Sequence, residues 1–271
     1  MELFDQHIID VRTFVTRKRK YDACLRVIEC ARSAEQLLKG LSAQYNGSNQ
    51  PFVVLKEDTF VELGNPLQGS SSMLLWSRQP ELIQDGNITI IGPDIPESEG
   101  RSLPFGQVIM IGGTRLKEED LAKMERASDI SHRLEGYMIR QMLGKLWSRI
   151  SNAAAKKGFS FKTLGSALML HYRMQFVELE AIEILFVTRS KEDVAELEAI
   201  SREAKSRSYS IRKLVRTGDG TYECNDLNCD VCPDRSACET IREVLVIRKG
   251  GKVAEIKVLR GERQDARSTA L

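Results

Sequence analysis

Four of the six cysteines fall within fifteen residues, in the run Cys224-Asn-Asp-Leu-Asn-Cys229-Asp-Val-Cys232-Pro233-Asp-Arg-Ser-Ala-Cys238. Thiolates are soft donors, and four of them on one short segment converge only if the segment wraps around what they bind. Zinc sites more often use two C-x2-C knuckles far apart in sequence, each filling two corners of a tetrahedron. Here there is one such knuckle, Cys229 with Cys232. A compact run of irregular short spacings, with Pro233 directly after a cysteine, fits a 4Fe–4S cubane better. We read Cys224, Cys229, Cys232 and Cys238 as ligands of a 4Fe–4S cluster, with zinc or free, redox-active thiols as the alternatives. A cluster with four cysteine ligands is closed, so it transfers electrons or holds the fold together, and function then depends on partners. Cys24 and Cys30, six apart in an apolar stretch, read as small core or surface residues.

The rest of the composition narrows the setting. With 42% hydrophobic and 29% charged residues over 271 positions, the chain can bury one large core or two small ones. Its 40 Lys and Arg nearly cancel its 38 Asp and Glu, which argues against a nucleic-acid partner held by a global positive field. No apolar run reaches the roughly 18 residues that span a bilayer, and the start MELFDQHIIDVRTF carries acids where a signal peptide is basic, then apolar. The expectation is a cytoplasmic protein with no membrane partner, in a compartment where these cysteines are not disulfides.

Periodicity then gives an α+β fold: a helical N-terminal segment, a mixed α/β middle domain, a cysteine-rich metal loop and a C-terminal β-hairpin. In residues 1–45, Phe4, Ile8, Val11, Phe14, then Cys24, Val27, Ile28, Ala31 and Leu38 recur at helical steps, interrupted by the basic run 17–20, so two helices or one bent helix are expected. A linker at 43–50 ends at Pro51, and the second domain is expected over 51–216. Within it, 52–63, 73–76, 88–91 and 108–111 read as short strands between tight turns. Leu121, Met124, Ile130, Leu134 and Met138 read as one face of a long charged helix. A short strand at 146–150, a helix at 161–176, a buried strand at 182–188 and a charged helix at 191–215 follow. The loop and hairpin occupy 217–260, the hairpin turning at Gly250 and Gly251 between 244–247 and 254–259. The polar tail 261–271 is expected to be disordered.

Several runs in constant order resemble acetyl-CoA synthase, the β subunit of the CO dehydrogenase/acetyl-CoA synthase complex, in its middle domain. They are Glu62-Leu63-Gly64-Asn65-Pro66, Glu81-Leu82-Ile83-Gln84-Asp85-Gly86-Asn87-Ile88-Thr89-Ile90-Ile91-Gly92-Pro93-Asp94-Ile95, Leu103-Pro104-Phe105-Gly106, Leu146-Trp147-Ser148-Arg149-Ile150-Ser151 and Ala155-Lys156-Lys157-Gly158-Phe159-Ser160-Phe161-Lys162. In that family a Tyr-x-Cys-like step leads into a cluster-binding cysteine loop, and Tyr222-Glu223-Cys224 stands in the corresponding place, which the resemblance turns in favour of iron–sulfur over zinc. The later cysteines are more closely spaced than the family's, and its nickel-binding Cys-Gly-Cys portion and its N-terminal docking domain have no counterpart, unless residues 1–45 do some of the docking. The resemblance therefore implies no assembly of acetyl-CoA by this chain alone and assigns no catalytic residue. It also associates the middle domain with CoA through Trp and Arg side chains, which Trp147 and Arg149 match. An indole stacks on adenine and guanidinium groups fork onto phosphate; Trp147 filling the core beside a strand is the other reading.

Other candidates carry plainer readings. Gly64-Asn-Pro-Leu-Gln-Gly69-Ser70-Ser71-Ser72 lacks the lysine of a Walker motif and reads as a turn rather than a phosphate cradle. His7, His132 and His171 lie apart in sequence with no metal or catalytic spacing. Arg202, Lys205, Arg207, Arg212, Lys213 and Arg216 read as a solvated helix face, or as a basic stretch that docks an acidic ferredoxin or neutralises an anionic ligand. The expectation is an accessory iron–sulfur protein acting as electron-transfer or scaffold subunit of an anaerobic multi-subunit complex. The alternatives are a CoA- or acyl-CoA-binding subunit of an enzyme completed by another chain, and a structural zinc-binding interaction module.

Overall fold

The computed structural model describes residues 4–21, 25–41, 45, 52–117, 120–142, 145–211, 214–216 and 222–224. The chain divides into two compact units, Met1–Ser208 and Tyr209–Leu271. In the first, the described elements run α1 (Asp5–Tyr21), β1 (Leu25–Glu29), α2 (Ala34–Leu41), β2 (Thr59–Leu63), β3 (Ser70–Ser77), β4 (Asn87–Ile91), β5 (Phe105–Gly112), α3 (Leu121–Arg126), β6 (Tyr137–Met142), β7 (Lys145–Ser151), α4 (Asn152–Lys156), α5 (Phe161–Gln175), β8 (Ala181–Val187) and α6 (Lys191–Ile211), whose last three residues are counted with the second unit.

Five strands form the main sheet in the order β1-β4-β8-β5-β3. The pairs β4 with β8 and β3 with β5 are parallel, while β1 with β4 and β5 with β8 are antiparallel. Every residue of β5 and β8 is buried, as continuous apolar runs demand when both faces of a sheet are covered. On one face, Phe161 of α5 stacks on Phe105 and Phe186, with ring centroids 5.8 and 4.7 Å away. Adjacent strand residues point to opposite faces, so Gly106, which packs against Leu197 of α6, puts that helix on the other side. There α1 lies beside α6: Lys18 pairs with Asp193 at 2.6 Å and Glu196 at 3.3 Å, and Arg17 also pairs with Glu196. Arg12 reaches the buried Glu183 of β8 at 2.7 Å.

A smaller antiparallel sheet, in the order β2-β7-β6, is tied to the main one by backbone and by Ser70. The Ser70 hydroxyl donates to the Leu146 carbonyl at 2.5 Å and accepts from the Leu146 N–H at 2.7 Å. Leu103 N–H donates to the Glu62 carbonyl, and Gly64 N–H to the Leu103 carbonyl, both at 2.9 Å.

Several sequence expectations are corrected. The N-terminal segment is not helical alone: 25–29 is a strand, because pairing with β4 from Leu25↔Ile91 to Glu29↔Asn87 decides its conformation. The linker expected at 43–50 lies outside the described residues except for Tyr45, and α1, β1 and α2 belong to the same compact unit as the strands after it. The long helix through Met138 is also absent. Helix α3 ends at Arg126, turns follow, and Gly136 with φ +72° leads into strand β6, which contains Met138. The remaining strands and α5 fall where expected, save that 52–58 precede β2 without strand structure and that α6 ends at Ile211, with residues 214–216 in a strand.

In the second unit the described elements are β9 (Leu214–Arg216) and β10 (Tyr222–Cys224), an antiparallel pair with Cys224 opposite Leu214. The hairpin expected at 244–259 and the tail 261–271 lie outside the described residues.

Candidate functional site

Strand β7 alternates: Leu146, Ser148 and Ile150 are buried against the main sheet, while Trp147 and Arg149 are half-buried on the opposite face. The antiparallel register sets Glu62 of β2 directly across from Arg149 and Arg140 of β6 directly across from Trp147. Arg149 Nε donates to Glu62 Oε1 at 3.1 Å, and Asn65 Nδ2 donates to Glu62 Oε2 at 2.6 Å. The Trp147 indole N–H also donates to this carboxylate. Burial alone would raise the Glu62 carboxyl, but the hydrogen bonds from Asn65, Arg149 and Trp147 together hold it below its ordinary value. The indole is flanked by cations: the Arg149 guanidinium lies 4.6 Å and that of Arg140 5.8 Å from its ring centroid.

Two stretches that carry the resemblance therefore meet in space, Glu62-Leu63-Gly64-Asn65 and Leu146-Trp147-Ser148-Arg149. Two others meet at the head of α5: Phe161 N–H donates to Asp94 Oδ1 at 2.8 Å, and Asp94 also caps the 3₁₀ turn at Ile95–Ser98. Within the Gly64 to Ser72 segment, residues 64–69 form a turn, as the composition suggests, and Ser70 to Ser72 open β3. The Asn65 carbonyl accepts from Gln68 and Gly69 N–H, and its side chain accepts from Leu67 N–H, so these amides are spent internally.

Sequence reasoning missed Arg140. Its place opposite Trp147 depends on the β6–β7 register, and the residues around it were assigned to a helix. The histidine pair was missed too. His132 and His171 sit edge to face with centroids 5.8 Å apart. Burial, then His132 and Arg133 nearby, push the His171 imidazole down to about 4, and burial lowers His132 as well. Both are thus neutral near pH 7 and suit a core contact rather than proton transfer. His7 is fully buried, 4.0 Å from Glu203.

Of the cysteines read as metal ligands, Cys224 ends β10, while Cys229, Cys232 and Cys238 lie outside the described residues. Among the described residues no group of three or more His, Cys, Asp or Glu side chains is placed to hold a metal. Cys30 is half-buried with its Sγ 3.5 Å from Ser166 Oγ, and Cys24 is outside the described residues. In the basic stretch, Arg202 is exposed and 3.6 Å from Glu198, and burial lowers Lys205. Among the described residues no helix is long and apolar enough to cross a membrane.

Fold and site together define a layered α+β domain that presents an aromatic–guanidinium cluster on the outer face of a small sheet. Residues 40–194 match the profile of the CdhC family, described as the CO dehydrogenase/acetyl-CoA synthase complex beta subunit, and the chain belongs to that family. Acetyl-CoA decarbonylase/synthase complex subunit beta 1 of Methanosarcina acetivorans is 30% identical over 200 residues, covering 69% of this chain and 42% of that protein. Subunit beta 2 of Methanosarcina thermophila is 33% identical over 204 residues with the same coverage. The subunit beta of Archaeoglobus fulgidus is 30% identical over 151 residues, 55% of this chain and 28% of that protein. The chain thus spans about two-fifths of the length of the Methanosarcina relatives.

Proposed function

We propose that the protein is a cytoplasmic accessory subunit of an anaerobic acetyl-CoA decarbonylase/synthase-type complex, and that it binds CoA or an acyl-CoA on the outer face of β7. The observation that carries this is the half-buried Trp147 with two guanidinium groups 4.6 and 5.8 Å from its ring centroid and with Glu62 bonded to it, where Glu62, Trp147 and Arg149 lie in the stretches that resemble the family. An indole supplies a flat surface for adenine, and an adjacent guanidinium supplies forked donors for phosphate. Tryptophan fluorescence tests the reading, because Trp76 is the only other tryptophan and is buried in the core. CoA is expected to quench emission in the wild type and not in Trp147→Phe; unchanged emission at millimolar CoA would remove the proposal.

A second reading concerns the cysteines. Four thiolates within fifteen residues form a donor set suited to a soft metal centre, and Cys224, Cys229, Cys232 and Cys238 would hold a 4Fe–4S cluster, which when bound supplies one-electron transfer or ties the loop together. The role is then electron transfer or scaffolding for other subunits or a ferredoxin. Anaerobically purified protein is expected to be brown and to carry about four irons. Colourless protein with one zinc would replace the cluster by the structural zinc module.

A further inference from the structure

We propose that Arg140 is the guanidinium that meets the phosphate of a ligand lying against Trp147, and that Arg149 is a positioning residue whose charge is already committed. The proposal rests on the CoA reading for the ligand's chemical class, a phosphorylated nucleotide, and on the geometry for the division of labour. Two guanidinium groups and one carboxylate surround the indole, and the third cation on this side of β7, Lys145, is paired with Glu198, so one positive charge beside the ring is left over. Which one follows from the contacts. The side chains of Arg149 and Glu62 are only 19% and 16% exposed and are hydrogen-bonded at 3.1 Å. The same carboxylate takes the Asn65 amide and the indole N–H, so it anchors the ring and the guanidinium together.

A phosphate approaching Arg149 would have to displace Glu62 or settle beside its negative charge, and either costs what the new ion pair gains. Arg140 carries no such obligation. It is exposed on β6, directly across from Trp147, and among the described residues it has no ion-pair partner; its contact is with the indole ring, 5.8 Å from guanidinium to centroid. A guanidinium steered by an aromatic ring and otherwise in water can turn both forks onto a phosphate while the base lies on the indole. Removing the partner of a charge-assisted hydrogen bond of this kind weakens binding by about tenfold or more.

The test titrates full-length protein with CoA, inorganic pyrophosphate and phosphate-free pantetheine, reading the emission assigned to Trp147 by comparison with Trp147→Phe. Arg140→Gln is expected to weaken CoA and pyrophosphate by at least about tenfold, with the free protein's melting temperature unchanged and Arg140→Lys recovering part of the loss. The charge-neutral double variant Glu62→Gln with Arg149→Gln removes the anchor of the ring but no net charge, so it is expected to weaken CoA, whose base lies on that ring, while binding pyrophosphate within about threefold of wild type. Should that double variant lose its fold, Arg149→Lys, which keeps the charge pair with Glu62, serves in its place and is expected to hold pyrophosphate within the same range. Wild-type pyrophosphate affinity in Arg140→Gln would overturn the assignment, as would a double variant or Arg149→Lys that folds yet loses as much pyrophosphate affinity as Arg140→Gln. If wild type responds to pyrophosphate through Arg140 but not to CoA, the CoA reading falls and the Arg140 assignment stands. If it responds to neither, both fall.

Discussion

His171 is buried in the middle of α5, facing His132, with Arg133 and Asp129 close enough to act on its charge. Burial, His132 and Arg133 all disfavour the imidazolium and outweigh Asp129, so the folded protein takes up this proton only near pH 4 against an ordinary value of 6.5. The unfolded chain therefore binds the proton first on acidification. Stability contributed above about pH 6.5 is lost as pH falls towards 4, by an amount on the order of 3 kcal/mol. Urea midpoints of wild type and His171→Leu should converge on going from pH 7 to pH 4.5, and parallel curves would show that His171 does not carry the acid sensitivity. Gly64 is constrained differently: with φ +69°, a Cβ there would overlap the Leu146 carbonyl oxygen, which also accepts from Ser70. Gly64→Ala should destabilise the protein by about 1–3 kcal/mol in urea titrations and shift Trp147 emission, because it pushes apart the two strands that bracket the site. Trp147 and Arg149 could be singled out in the sequence because they lie in a stretch that resembles a family. The place of Glu62 beside them, Arg140 and the histidine pair could not, since each depends on a contact between distant segments that no local spacing records.

At the scale of elements, legibility followed burial. Strands β5 and β8, covered on both faces, are unbroken apolar runs, and α5 keeps a helical period beneath a Ser160 cap. Strand β1 misled because Cys24, Val27, Ile28 and Ala31 repeat at three and four residues, while a five-residue strand is too short to show a period of its own. The helix read through Met138 ran across Ser128, Asp129, Ser131 and Gly136, residues that favour turns, and Gly136 indeed takes a positive φ there. The best-tied element is α5. Its first N–H groups are taken by Asp94 and Ser160, and Phe161 stacks on the main sheet. Phe161→Ala should cost about 3–5 kcal/mol, whereas Ser160→Ala should cost only about 1 kcal/mol, since it removes one cap bond and no packing. Equal losses in chemical denaturation would mean that the cap, not the aromatic stack, holds the helix to the sheet.

For the whole molecule, the question is how the cysteine run depends on the rest of the chain. Among the described residues, the buried apolar core of the unit Met1–Ser208 is made from its own sheets and helices and runs from Phe4 to Ala204. If four thiolates of residues 224–238 hold a metal centre, its binding free energy is folding free energy for the segment around them and not for the first unit. Cys229→Ala or Cys232→Ala should therefore release the iron and open residues 222–259 to protease. Tryptophan emission should report a urea midpoint within about 0.5 kcal/mol of wild type, because both tryptophans lie in the first unit. Cys24→Ala and Cys30→Ala should keep their iron; Cys30 is placed with its Sγ against Ser166, away from any grouping of metal-binding side chains among the described residues. Loss of iron from either of these two variants, or full iron in Cys229→Ala with unchanged protection of 222–259, would take the centre away from the four-cysteine run and direct the search to an interface with another chain.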